Sequence, residues 1–485
     1  MYHLKYSAIF LLVFGAVFCC FAEIRTVTVL LTTDLHGSTE MPGIVSFIRQ
    51  RKAVDPEVLV IDCGDLTQGT YEAAQDQGAS MAGALEFAGY DVFVPGNHDF
   101  DYGPDVLKRN LARFRHVQVL ASNLKLDGIP QKGWALFVRN GVRIAVIGIV
   151  PPYLFQWIAN SRLRGVSVGT VENGIARVMP EIRRAGAELV ILAIHLGEFT
   201  SGRLNPDGKK FALSSVLKKY PEITLVLAGH THQTIAGKRL YPGAWLVQPA
   251  FHAGSIAEIR VMIDPEKRQT LDISSTLHPL PDPVSAPVMP EDWVQNLATA
   301  RTGRETVHTI LPAGFAFTPF RNSKDPGTFA LLCARAMAEF AGTDLAFSPS
   351  YSSATVSGRV TEFDLYRLIP FENYVTILTL TPEQLDAVLQ EQNGLKGVSR
   401  RSKQLLYPGD FRPQERYTVA FGSYAVSGAG GRFPVLKQIA ESGTVERRDL
   451  EWSVRDAFRD FLRKNDLTKI VSGAKVKTDY RNNKE

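Results

Sequence analysis

Between Arg25 and Leu277 the chain repeats one pattern. A short run of Val, Ile and Leu is followed by a polar loop and, in several places, by a stretch with helical character. The runs are TVTVLLT, EVLVIDC, YDVFVPG, VQVLAS, VRIAVIGIV, ELVILAI, ITLVLAG and AWLVQPA. Near-continuous apolar segments of this length suit strands buried on both faces. Helices are expected between some of them, as in EAAQDQGASMAGALEFAG and NGIARVMPEIRRAGA. The pattern predicts an α/β domain of two stacked sheets flanked by helices.

The remaining length calls for a second domain, because 485 residues exceed one ordinary core. The segment HPLPDPVSAPVMPEDW, residues 278–293, holds five prolines in sixteen residues and reads as a linker. EDWVQNLATARTGRE then supplies a connecting helix. A second α/β unit follows, with helices in GTFALLCARAMAEFAG and TPEQLDAVLQEQNG and strands in NYVTILTL and ERYTVAFGSY. The expected division is a leader over 1–22, a first domain over 23–277, linker and helix over 278–305, a second domain over 306–472 and a frayed tail over 473–485.

The leader reads as a secretory signal. Lys5 precedes an apolar run from about Ala8 to Phe21, and Cys20-Phe21-Ala22 has small residues where cleavage would occur. The run is short for a bilayer span. Phe18 and Cys19 fit a lipoprotein signal poorly, so simple export to a periplasm or cell surface ranks above lipidation. Without the leader Cys63 and Cys333 remain, too few for a disulfide scaffold. Removing Lys5 with the leader takes the net charge from +5 to +4, which is too mild and too dispersed to argue for a nucleic-acid duplex. Oligomeric state is open at this point.

The chemistry lies where the apolar runs end. After successive runs come Asp34-Leu35-His36-Gly37, Asp62-Cys63-Gly64-Asp65, Gly96-Asn97-His98-Asp99, His195-Leu196-Gly197-Glu198 and Gly229-His230-Thr231-His232. Ligands in α/β folds bind beyond the carboxyl ends of strands. Each motif alone is a weak signal, and a single loop histidine is usually only that. Five of the ten histidines fall in these motifs, each behind a strand, and together they point to a metal site. Carboxylate, imidazole and amide oxygen suit zinc, manganese, iron or cobalt. Two such ions about 3.5–4 Å apart need a bridging carboxylate. Cys63 is read as a packing residue, with metal binding as the alternative. His252 lies near the motifs without a partner of its own, and Glu198 and Gln233 flank ligand candidates.

Taken together, DLHG, DCGD, GNHDFD, HLGE and GHTH resemble the calcineurin-like metallophosphoesterase superfamily. Within it, GNHDFDYG and the long second half are similar to the exported bacterial 5′-nucleotidase/UDP-sugar hydrolase family. The resemblance implies a four-layer α/β/β/α first domain and a 5′-nucleotidase-type second domain. It implies that Asp34, His36 and His232 hold one divalent ion, that Asn97, His195 and His230 hold the other, and that Asp65 bridges them. It implies that His98 contacts the phosphate in the transition state and that Asp101 orients His98. The substrate would be a small nucleotide or other phosphate ester, attacked at phosphorus by water that the two cations activate.

In the second half, LYRLIPFENYVTIL is similar to the family's Pro-Phe-x-Asn stretch, which makes Phe371 a stacking ring and Asn373 a base or sugar contact. AFGSYAVSGAGGRFP resembles the second aromatic stretch, with Tyr424 as the other ring, and Arg321 is a candidate substrate arginine. The sequence also departs from the family. Ser352 or a neighbour stands where an arginine is usual, and GAGG replaces Gly-Gly-Asp-Gly. Arg359 and Arg432 are candidates for replacement charge. These losses leave three readings open: a nucleotidase, the same catalyst aimed at another ester or a sulfur compound, and a nucleotide- or host-binding surface protein.

Overall fold

The computed structural model describes residues 24–129, 131–197, 213–280, 287–319, 327–348, 351–391, 396–399, 411–413 and 415–473. The first half contains two sheets. One has seven strands, in the order 269–278, 256–264, 25–32, 59–62, 92–93, 118–120 and 131–132. The other has six, in the order 235–239, 245–248, 223–228, 189–194, 142–149 and 134–139.

Alternation along each strand builds the layers. Val27, Val29, Leu31 and Ile61 of the first sheet meet Ile144, Val146, Ile191 and Leu227 of the second in a core between the sheets. The intervening Leu30, Val60 and Phe93 pack outward on Ile44, Val45 and Ile48 of helix Met41–Val54 and on Met81 and Leu85 of helix Ala79–Ala88. On the far side, Ile147, Leu192 and Val226 pack on Ile175 of helix Val171–Ala185 and Leu217 of helix Leu213–Lys219. The result is a four-layer α/β/β/α sandwich. Both faces of each sheet are covered, which is why the central runs read as continuously apolar.

Register sets the site. Strand Arg25–Thr32 pairs in parallel with Leu59–Asp62, with Thr32 opposite Asp62. Asp62 in turn stands opposite Phe93. In the second sheet Ile194 stands opposite both Ala228 and Ile149. The strands therefore end level, and their C-terminal loops share one edge.

Two expectations need correction. The stretch EAAQDQGASMAGALEFAG is not one helix but two, Tyr71–Gln75 and Ala79–Ala88. Gln77 and Gly78 take left-handed conformations at φ 57° and 82°, and Gly78 lies so close to Thr67 that a Cβ would meet its Cβ at 2.3 Å. The apolar runs also missed the hairpin Ile256–Asp264/Gln269–His278 and the edge strand Trp134–Arg139. Glu258 and Arg260 interrupt Ile256–Asp264 and polar residues interrupt Gln269–His278, while Trp134–Arg139 has an apolar run, WALFV, that lies just before VRIAVIGIV.

The second half holds a five-stranded sheet, in the order 396–399, 345–348, 417–422, 374–380 and 446–453. Its pairs are antiparallel except 345–348 with 417–422. Ala346, Val375 and Ala420 face helices Thr328–Ala341 and Val454–Lys464, while Leu345, Phe347, Val419 and Phe421 face helices Pro382–Gln390 and Pro434–Glu441. The connecting helix Glu291–Arg304 is docked rather than free. Trp293 joins the first domain's core, Asn296 donates to the Glu72 carbonyl at 2.9 Å, and Ala300 packs with Tyr71 and Tyr366 across the two halves.

Candidate metal centre and substrate cavity

The five loops are tied together by backbone. The Asp34 N–H donates to the Gly64 carbonyl and the His36 N–H to the Asp65 carbonyl, both at 2.8 Å. Asp99, which the sequence did not single out, is the hub. One of its oxygens accepts from the backbone N–H groups of Leu66 and Thr67 and from the Thr67 hydroxyl. The other accepts from the N–H groups of Asp65 and Gly96. Gly96 sits so close to Asp65 that a Cβ would lie 2.2 Å from its Oδ1. Asp34, His36, Asp65, His230 and His232 all have positive φ, between 48° and 72°. Strained backbone of this kind persists where the surrounding structure holds it, and functional sites are where it gathers.

This scaffold brings two clusters together. Ligand atoms of Asp34, His36 and His232 lie within 4.8 Å of one another, and so do those of Asp65, His195 and His230. The His36 Nδ1 faces the Gln68 carbonyl at 2.9 Å and the His195 Nδ1 faces the Cys63 carbonyl. Each ring therefore carries its proton on Nδ1 and turns Nε2 inward, as a ligating imidazole must. The two facing nitrogens of His36 and His232 are 3.0 Å apart. The His195 Nε2 lies 3.0 Å from an Asp65 oxygen. The buried Asn97 Oδ1 has no hydrogen-bond partner among the described residues. A buried acceptor without a donor, beside converging lone pairs and carboxylates, fits a divalent cation.

Electrostatics agree. Burial holds His36 near 4 and His230 near 3, so both are neutral donors of an electron pair. Burial disfavours the cation of His195, yet Asp65 and Asp34 outweigh it and push this histidine up to about 9. The pocket therefore demands positive charge. Two candidate metal sites are present, and the donor set does not single out one metal.

His98 lies alongside. Its N–H donates to Asp65 Oδ1 at 2.8 Å, and its Nδ1 pairs with Asp101 Oδ2 at 2.7 Å. Burial works against its cation, but Asp101 and Asp65 push it up to about 10. Cys63 is fully buried in the core between the sheets, with its thiol 3.5 Å from the Leu227 carbonyl, in keeping with packing. His252 stacks on His36 with centroids 5.1 Å apart, and Phe251 stacks on His232 at 4.5 Å. Gln233 is half-buried beside His232. Glu198 and Arg321 lie outside the described residues.

A cavity opens from this centre. Asn97, His98, Asp101 and His230 line it together with Phe371, Asn373 and Tyr424 of the second half. Phe371 stacks on His98, with centroids 5.7 Å apart and planes 21° apart. Asn373 is buried, and the Tyr424 hydroxyl accepts from Arg432 at 2.8 Å. Arg359 is exposed on a short strand, and Ser352 caps the Ala354 N–H at 3.2 Å. The cavity also contains Trp157, Arg162 and Glu372, which the sequence reading did not reach. Trp157 and Arg162 belong to an irregular loop that matches no motif.

The loop bearing Phe371 is held from below. Buried Arg455 donates twice to the Ile369 carbonyl and pairs with Glu372 at 2.9 Å. Replacing Arg455 by methionine strands Glu372 in a low-dielectric site, so a loss of about 3–5 kcal/mol is expected in urea unfolding. A loss below about 1 kcal/mol would show that the pair does not hold this loop.

Residues 27–234 match the calcineurin-like phosphoesterase family, and residues 305–407 match the 5′-nucleotidase C-terminal domain. A 2′,3′-cyclic-nucleotide 2′-phosphodiesterase/3′-nucleotidase of Yersinia enterocolitica is 31% identical over 43% of this chain and 37% of its own length. The chain spans from 33% to 41% of the first four curated relatives it matches. A 5′-nucleotidase precursor from Thermus thermophilus superposes with a TM-score of 0.65 at 18% identity, over 91% of this chain and 96% of that one. A Staphylococcus aureus chain solved with α-ketoglutarate superposes with a TM-score of 0.73 at 18% identity, over 92% and 98%. With the sandwich, the two ligand clusters and both domain matches in agreement, residues 27–234 form a calcineurin-like phosphoesterase domain and residues 305–407 belong to a 5′-nucleotidase C-terminal domain.

Proposed function

We propose that this chain is an exported phosphoesterase that hydrolyses nucleoside 5′-phosphates with two divalent ions. One observation carries the reading: the aromatic residues Phe371 and Tyr424 open onto the same cavity as Asn97, His98 and His230. A phosphoester centre and a surface for a base thus share one space, and aromatic faces hold bases with little sequence demand.

Asp34, His36 and His232 would hold one ion. Asn97, His195 and His230 would hold the other, with Asp65 between them. When bound, the ions activate water for attack on phosphorus and neutralise phosphoryl charge. His98, kept cationic by Asp101, donates from Nε2 to a phosphoryl oxygen as charge develops there. Phe371 and Tyr424 take the base, and Asn373 takes a base or sugar edge. Arg321 remains a candidate phosphate contact. The catalytic domain corresponds to 23–277 and the substrate domain to 306–472, joined through 278–305. Residues 1–22 direct export, and no helix among the described residues is long and apolar enough to cross a membrane.

The test is phosphate release by the full chain with manganese or zinc. The substrates are AMP, a pyrimidine monophosphate, UDP-glucose, a 2′,3′-cyclic nucleotide and p-nitrophenyl phosphate. Metal-dependent release from AMP supports the reading. Release from p-nitrophenyl phosphate alone rejects the nucleotide. Release from the cyclic nucleotide without AMP favours the second reading, which the name of the Yersinia enterocolitica relative suggests.

A further inference from the structure

Arg162 belongs to the first half, on the turn Asn160–Arg162, yet its guanidinium lies 3.2 Å from the centroid of the Tyr374 ring in the second half. It lines the same cavity as His98 and Phe371. Its Nη1 donates to Glu451 at 3.3 Å, but Glu451 is 91% exposed, so the pair is screened by water. Its Nε is buried and meets no acceptor among the described residues. A guanidinium over a ring face that still has a donor without an acceptor can take up an anion, and its fork matches a phosphate.

The cavity's own carboxylates do not satisfy it. Asp101 is paired with His98 at 2.7 Å and Glu372 with Arg455 at 2.9 Å. Arg432 adds a second guanidinium to the same lining, with its Nη2 on the Tyr424 hydroxyl. The lining here thus carries two guanidinium groups, apart from any ion at the metal centre. Its position defines which anion it would meet. Tyr374 directly follows Phe371, Glu372 and Asn373, so Arg162 stands among the residues assigned to the nucleoside. A second phosphoryl group in a 5′-diphosphate would instead remain beside the scissile one.

We propose that Arg162 is a specificity-determining residue that selects substrates with a second anionic group on the nucleoside itself, of the class of nucleoside 3′,5′-bisphosphates. The proposal rests on the nucleotide reading above. In the reaction, water adds to the scissile phosphorus, the ester P–O bond breaks, and the leaving alkoxide takes up a proton. The second phosphoryl group stays on the product.

The experiment compares dissociation constants for adenosine 3′,5′-bisphosphate and AMP by calorimetry on the full chain. Phosphate release from AMP is measured alongside. Arg162→Met and Glu451→Gln are the variants. The bisphosphate is expected to bind at least about tenfold tighter than AMP, the span of one charge-assisted contact. Arg162→Met should remove that difference, and Glu451→Gln, which breaks only the exposed ion pair, should keep it. Equal affinities in the parent protein overturn the proposal, and continued release from AMP then leaves the nucleotide reading standing. Equal loss of preference in both variants also overturns it, since Arg162 would then act as a strap between the two halves. Binding of AMP without the bisphosphate overturns the proposal alone, and failure of both ligands to bind overturns both readings.

Discussion

Replacing His98 by alanine is expected to lower kcat by about 10²–10⁴-fold while metal content stays at the parent level. The ring makes no contact that a ground-state metal needs, because its Nδ1 is committed to Asp101 at 2.7 Å and its backbone N–H to Asp65 at 2.8 Å. The backbone bond survives the substitution, so Asp65 keeps its place. What disappears is a cation aimed into the cavity, where its value lies in meeting charge that develops on the phosphoryl oxygens. Asp101→Asn should cost less, about 10–100-fold, since it weakens the ring's orientation and charge without deleting the donor. Kinetics and metal analysis on the same preparations check this. A His98→Ala enzyme within about tenfold of the parent would remove His98 from the reaction.

The sequence showed the places where chemistry gathers better than it showed how the loops are held. Parallel strands buried on both faces print themselves as apolar runs, and each run's end could be read directly for Asp, Asn or His. Those ends hold Asp34, His36, Asp65, Asn97, His195, His230 and His232, and the resemblance of the motifs to the metallophosphoesterases supplied the choice among neighbouring carboxylates. Strand Ile256–Asp264 escaped because buried Glu258 and exposed Arg260 interrupt its apolar pattern, and Gln269–His278 because exposed polar residues do. Arg162 escaped for a different reason. Its partner, Tyr374, is more than two hundred residues away, and nothing in SRLRG signals a stacked guanidinium. Asp99 stands within GNHDFD, but the motif alone gives it no role. Only the tertiary structure shows four backbone donors pointed at it from two loops.

Those donors make Asp99 the position where a single change should damage the fold most. Asp99→Ala deletes the acceptor for four backbone N–H groups and one hydroxyl, at a residue only 2% exposed. Each stranded donor costs about 1–3 kcal/mol unless water replaces the carboxylate. Water can enter the space of a lost side chain only in part. A net loss of about 3–5 kcal/mol is therefore expected, at the exceptional end for a point mutation and a large share of a typical domain's stability. Asp99→Asn separates shape from charge. Its amide oxygen can replace the oxygen that accepts from Leu66, Thr67 and the Thr67 hydroxyl. Its NH₂ must then face the N–H groups of Asp65 and Gly96, donor against donor. The amide should thus fall between parent and alanine in stability, and it should lose metal affinity out of proportion, because the two loops it pushes apart are those that carry Asp65 and Asn97. Urea unfolding of the metal-free proteins, with manganese titration beside it, tests both parts. An alanine variant within about 0.5 kcal/mol of the parent would mean that the loops are held by the backbone bonds between them and not by this carboxylate.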